Sequence, residues 1–137
     1  MRVVVTGGRN YVMTASDYVF LDNAISILGA TTILTGGARG VDAQAAAWAT
    51  RRNIPVEAIR PNWKKDGDAA PCRANARLAE AAEAVIAFPG AEGTADMIDQ
   101  ARHIGLPVHE SPGRAVANLP TMDARLRHLG PGGCPAP

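Results

Sequence analysis

At 137 residues the chain has the length of one domain and enough apolar matter for a core, with 47% hydrophobic and 20% charged residues. A net charge of +1 lacks the basic excess with which proteins grip a nucleic-acid backbone, which disfavours that class of partner. The apolar start Val3-Val4-Val5 is a strand's length, too short for a signal peptide or a membrane span, so a cytoplasmic protein without a membrane partner is expected.

Arg2-Val3-Val4-Val5-Thr6 is a β-branched run and predicts a first strand. It ends in Gly7-Gly8-Arg9-Asn10-Tyr11, a tight turn whose Arg9 can reach a phosphate or carboxylate as a fork. Thr14, Ser16 or Asp17 can start a helix in which Tyr18, Leu21, Ile25 and Leu28 recur at helical spacing, with Gly29 as its stop. Thr31–Thr35 reads as the second strand, and Gly36-Gly37-Ala38-Arg39-Gly40 as a second glycine turn. The helix from Val41-Asp42 to Arg52 is rich in alanine and can lie close to a sheet. Asp42 in its first turn suits the helix dipole, or hydrogen-bonds a ribose or base.

Ile54–Ile59 predicts a third strand, ended by Pro61. Residues 62–71 read as a polar loop in which Trp63 either stacks on a base or closes the core edge. Lys64 and Lys65 are there phosphate ligands or solvated. Cys72–Ala82 predicts a third helix carrying Arg73, Asn75 and Arg77. Ala84–Phe88 is a wholly apolar fourth strand. After it, Pro89-Gly90-Ala91-Glu92-Gly93-Thr94-Ala95-Asp96 reads as a glycine-rich turn before a helix over 97–104, with Thr94 as the expected cap. Gly105–His109 gives a helix stop and a fifth strand, Met122–Leu129 a last helix, and 130–137 a disordered tail. Cys72 and Cys134 are far apart, so neither a structural disulfide nor a metal site is expected. His103, His109 and His128 form no motif.

The order predicts an α/β fold in one domain over 1–129, a Rossmann-like three-layer sandwich of about five parallel strands with helices on both faces. Three glycine turns then meet at the carboxyl edge of one sheet, where ligands bind. Their amides and the N-terminus of the last helix suit an anion, with a nucleotide phosphate as the natural guest. Neither GxGxxG nor GxxxxGK[ST] occurs, so a standard dinucleotide site and a P-loop are disfavoured, and no bound cofactor is called for.

The same residues carry a resemblance. Gly36-Gly37-Ala38-Arg39-Gly40-Val41-Asp42 resembles the glycine-arginine-glycine-x-aspartate segment of the DNA-processing (Smf/DprA) proteins. Pro89-Gly90-Ala91-Glu92-Gly93-Thr94 resembles the PGGxGT turn of the Lonely-guy phosphoribohydrolases. Both belong to the SLOG superfamily of Rossmann-like domains. Taken together over residues 1–109, the motifs, with Gly7-Gly8-Arg9, Asn62–Lys65, Arg73 and Thr94-Ala95-Asp96, are most similar to its YspA-like branch. The resemblance implies a nucleotide or nucleotide-derived ligand. It departs where the phosphoribohydrolase glutamate would fall, since Met97 stands there, and Asp96 points about 100° away on a helix. Ala91 replaces a glycine, and Arg73-Ala74-Asn75 splits a pair adjacent in the branch.

Two functions follow. One is a module that binds a nucleotide-derived small molecule through Gly7, Gly8, Arg9, Gly36, Gly37, Ala38, Arg39, Gly40, Asp42, Trp63, Lys64, Arg73, Asn75, Pro89, Gly90, Gly93 and Thr94. The other is an N-glycosidase cleaving a nucleotide to base and ribose phosphate. It needs a carboxylate (Asp96, Asp42 or Glu92) beside the developing oxocarbenium ion, and Arg9, Arg39 or Arg73 on the phosphate. Asp96 and Arg73 are its first candidates. Single-stranded DNA binding is disfavoured by the charge and the lack of an aromatic ladder. The alanine-rich helices are compatible with a homodimer, though the sheet explains their apolar faces equally.

Overall fold

The computed structural model describes residues 1–112. The helix expected over Met122–Leu129, the tail 130–137 and the expected domain limit at residue 129 lie outside the described residues. The elements are β1 (Arg2–Thr6), α1 (Ala15–Leu28), β2 (Thr32–Thr35), α2 (Val41–Arg51), β3 (Val56–Ala58), α3 (Trp63–Asp66), a 3-10 turn (Gly67–Ala69), α4 (Ala70–Ala81), β4 (Ala84–Ala87), α5 (Glu92–His103) and β5 (Val108–Glu110).

The five strands form one sheet in the order β3-β2-β1-β4-β5, parallel at every pairing. Helices cover both faces, as the α/β expectation required. Strand alternation divides the core. Val3 and Val5 point to one face, where they meet Leu21 and Ile25 of α1 and Ala45 and Ala49 of α2. Val4 points to the other, against Leu78 and Ala79 of α4 and Met97 and Ala101 of α5. β4 is buried along its whole length because both of its faces are covered, which explains its unbroken apolar sequence. Met97, which stands where the phosphoribohydrolases carry a glutamate, is fully buried in the second core, where a side chain of its size contributes about 2 kcal/mol.

Of the three candidates, Thr14 caps α1. Its hydroxyl accepts from the Asp17 amide at 3.2 Å, and the Asp17 carboxylate accepts from the Thr14 amide at 2.8 Å. Two stretches differ from their sequence reading. The polar loop over 62–71 is largely helical: Asn62 caps α3 through the Lys65 amide at 3.1 Å, and Pro71 falls in the first turn of α4, where its missing N–H costs nothing. α5 begins at Glu92 rather than Met97, with Ala95 N–H bonded to Ala91 O at 3.0 Å. Gly93 sits in the first turn, where a glycine disturbs the helix less than in its interior.

Candidate functional site

The turn after β1 and the turn after β4 flank the point where strand order reverses, the crevice in which open α/β sheets take ligands. Gly8 ties all three glycine turns together. Its amide donates to Pro89 O at 2.8 Å, and its carbonyl accepts from Val41 N at 3.1 Å. The packing leaves no room for side chains. Gly40 has φ +78°, and a Cβ there would lie 2.6 Å from the Arg9 carbonyl carbon. A Cβ on Gly90 would lie 2.8 Å from the Gly8 nitrogen and collide with the Thr94 hydroxyl. These glycines therefore serve turn-to-turn contact first.

The second turn turns its amides inward. Gly36 N–H and Ala38 N–H both donate to Asp42 Oδ2, at 3.1 and 3.2 Å, and Gly37 N–H donates to Thr35 Oγ1 at 3.2 Å. Asp42 is thus a clamp on its own loop. Burial pushes its carboxyl up to about 6, and the two amide hydrogen bonds offset only part of that. Arg9 and Arg39 are exposed at this edge, and Arg39 donates to Asn10 Oδ1 at 3.2 Å. Arg60, which the sequence reading passed over, donates to Gly37 O at 2.8 Å and so stands over the same turn. Its position just beyond the third strand was the available signal, because any cation there faces the carboxyl edge.

The N-terminus of α5 is different. Its N-cap is Ala91, with no side-chain cap, and 90–93 are exposed. The first amides of a helix have no partner within the helix, so this end offers donors and a partial positive charge to solvent. Thr94 corrects its expected role: it is the third helical residue, buried, with its hydroxyl against Gly90. Glycine at 93 had suggested that the helix begins later than it does.

Behind this end, Asp96 braces α5 to α4. Its Oδ2 accepts from Asn75 Nδ2 at 2.9 Å and from Gln100 Nε2 at 2.8 Å. Asn75 also donates to Gly93 O at 3.2 Å, and Gln100, unmarked in the sequence, to Cys72 O at 3.1 Å. Arg73 does not join Asp96. Its Nε lies 4.0 Å from Oδ1 of the buried Asp66, whose other oxygen lies 3.7 Å from Arg77. Trp63 is 59% exposed on α3, with Lys64 beside it, and so does not close the core. Cys72 is disulfide-bonded, against expectation; the sequence holds one other cysteine, Cys134, outside the described residues. Distance along the chain is a poor bar to pairing, since loop closure grows costlier only slowly with length. Among the described residues no three His, Cys, Asp or Glu side chains gather to hold a metal, and no helix is long and apolar enough to cross a membrane.

Residues 1–65 match the family model of the YspA, cpYpsA-related SLOG family. The match takes in the first two glycine turns and Trp63, and it bears out the resemblance read from the motifs. Searches of curated proteins and of solved structures returned no match.

Proposed function

We propose that this chain, which carries the YspA-related SLOG pattern over residues 1–65, binds a nucleotide or nucleotide-derived ligand at the carboxyl edge of its sheet. The observation that carries the reading is the exposed, uncapped N-terminus of α5, set beside Gly8 at the strand-order reversal. A phosphate placed there meets outward amides and the helix dipole together. Arg9, Arg39 and Arg60 line the same edge and add long-range attraction for an anion. Trp63 offers an open ring face for a base.

Binding without turnover is favoured over N-glycosidic cleavage. Cleavage needs a carboxylate directed at the ribose, and Asp96 is already engaged by two amide donors between α4 and α5. Thermal shift against nucleoside mono-, di- and triphosphates, NAD and ADP-ribose, with chromatography of each mixture, tests both. A ligand at 100 times its dissociation constant adds about 2.7 kcal/mol of stability. The expected result is a shift with the ligand recovered intact. Released base would establish the glycosidase, and no shift with any compound would remove the binding reading.

A further inference from the structure

Asp66, the last residue of α3, is buried between two arginines of α4. Arg73 Nε lies 4.0 Å from its Oδ1, and Arg77 Nη1 lies 3.7 Å from its Oδ2. Both separations sustain an ion pair but exceed the reach of a hydrogen bond. Among the described residues Asp66 Oδ2 and Arg73 Nε are shut off from solvent without a hydrogen-bond partner. Buried polar atoms are ordinarily paired, so a packing role alone does not account for this arrangement.

The arginines are four positions apart and share one face of α4, where like charges repel. Glu80 stands one turn beyond Arg77 on that face, yet Arg77 pairs with Asp66 instead. Two cations therefore share one carboxylate. Lys64 and Lys65, exposed on α3, stand just before Asp66 in the chain. Residues 60–77 carry five cations and two carboxylates, a net charge of +3 in a chain whose total is +1. Positive charge is thus concentrated on this part of the surface. The side chains of Arg73 and Arg77 are 42% and 40% exposed, and their guanidinium groups make no hydrogen bond among the described residues.

We propose that Arg73 and Arg77, set side by side on the buried Asp66, form a site for a phosphate dianion, free or as the monoester of a small metabolite. A phosphate monoester brings nearly two charges and three acceptor oxygens, which match two guanidinium forks. A carboxylate brings one charge and two oxygens and fills a single fork. The buried carboxylate holds both stems in place, so little side-chain freedom remains to be lost on binding. The site is separate from the free end of α5. Asn75, which donates to the Gly93 carbonyl of α5, is two positions from each arginine and so about 200° round the helix from both. The proposal therefore does not rest on nucleotide binding at α5.

Calorimetric titration of the full chain at low salt with inorganic phosphate, phenyl phosphate and acetate tests the proposal. Phosphate should bind saturably with a Kd of about 1 mM or below, and acetate at least about tenfold more weakly. Arg73→Gln and Arg77→Gln should each weaken phosphate at least about tenfold, the loss of one charge-assisted pair. Arg77→Lys keeps a cation beside Asp66, so it remains informative where a glutamine variant unfolds. It should still weaken phosphate about threefold or more, because an ammonium has no fork. Tighter binding of phenyl phosphate than of the free ion would support the site and assign it to a metabolite; the reverse would support it and assign it to the ion. Phosphate affinity indifferent to all three variants would overturn the proposal and leave the α5 reading untouched. No saturation below about 10 mM would overturn it, as would acetate binding as tightly as phosphate. A single-stranded oligonucleotide that displaces phosphate at lower concentration than phenyl phosphate would also overturn it, giving the arginines to a nucleic-acid backbone.

Discussion

The amide of Gly8 donates to the carbonyl of Pro89 across 2.8 Å, joining the turn after β1 to the turn after β4 at the one place where the strand order reverses. That bond requires Gly90 to pass within contact of Gly8. It also fixes where the free end of α5 points.

Two glycine substitutions separate packing from ligand contact. Gly90→Ala places a methyl 2.8 Å from the Gly8 nitrogen and onto Thr94, so it should cost about 1–3 kcal/mol in chemical denaturation. Gly93→Ala meets nothing within 4 Å and lies in a helix, so it should raise stability by up to about 1 kcal/mol. Yet the same methyl stands on the exposed first turn where the phosphate is proposed to sit. Ligand affinity, read by titration calorimetry, should therefore fall in a protein that is more stable. An affinity unchanged by Gly93→Ala would move the phosphate away from α5.

The strands and their order were legible because burial on both faces writes itself into composition. Ala84–Phe88 has no polar residue, and Val3–Val5 sits between two cores. The ends of helices were less so. Gly93 reads as a breaker, and nothing local says that a helix passes through it. Hydrogen-bond partners were not legible at all. Asp42 looks like a ligand group beside a glycine-rich turn, and only the fold shows that Gly36 and Ala38 claim its oxygen. Arg60 and Gln100 carried no motif, and their roles arise from what the chain brings beside them.

Asp42 sets a pH dependence of one sign. Its carboxyl titrates at about 6 in the fold against an ordinary 3.8, because burial penalises the charge. The folded state therefore holds the proton more tightly, and this group's contribution to stability falls as pH rises from about 4 through 6. Asp42→Asn keeps an oxygen for Gly36 and Ala38 but does not titrate. Urea unfolding at pH 4 and pH 7 should show the variant gaining on the native chain by on the order of 1–3 kcal/mol over that window. Parallel pH profiles would mean that the native carboxylate is solvated.

Asp17 sets the opposite sign. Burial pushes its carboxyl up, but hydrogen bonds from the Thr14 amide, the Tyr11 hydroxyl at 2.5 Å, the Ser111 hydroxyl and the Thr14 side chain outweigh it, and the net shift is downward. Its contribution is present above the usual carboxylate range and is lost as pH falls through the lowered folded value. Tyr11→Phe should cost about 1 kcal/mol at pH 7 and less at pH 3, where the carboxylate is protonated in more of the population. A cost that is equal at both values would place the Tyr11 contribution in packing alone.

Asp96 decides between the brace and the catalyst. As a brace it needs an oxygen facing Asn75 and Gln100, which Asp96→Asn retains and Asp96→Ala removes. Asn75 would keep Gly93 O and Gln100 would keep Cys72 O, so Asp96→Ala should cost about 1–2 kcal/mol and Asp96→Asn less than about 1. Ligand affinity should follow stability, because Asn75 holds the Gly93 carbonyl and so the first turn of α5. A catalytic carboxylate behaves otherwise: Asp96→Asn would leave stability and binding in place and abolish release of base. Denaturation curves and chromatography on the same two variants therefore separate the roles, since only a group that touches the reacting sugar loses turnover while keeping its structural bonds.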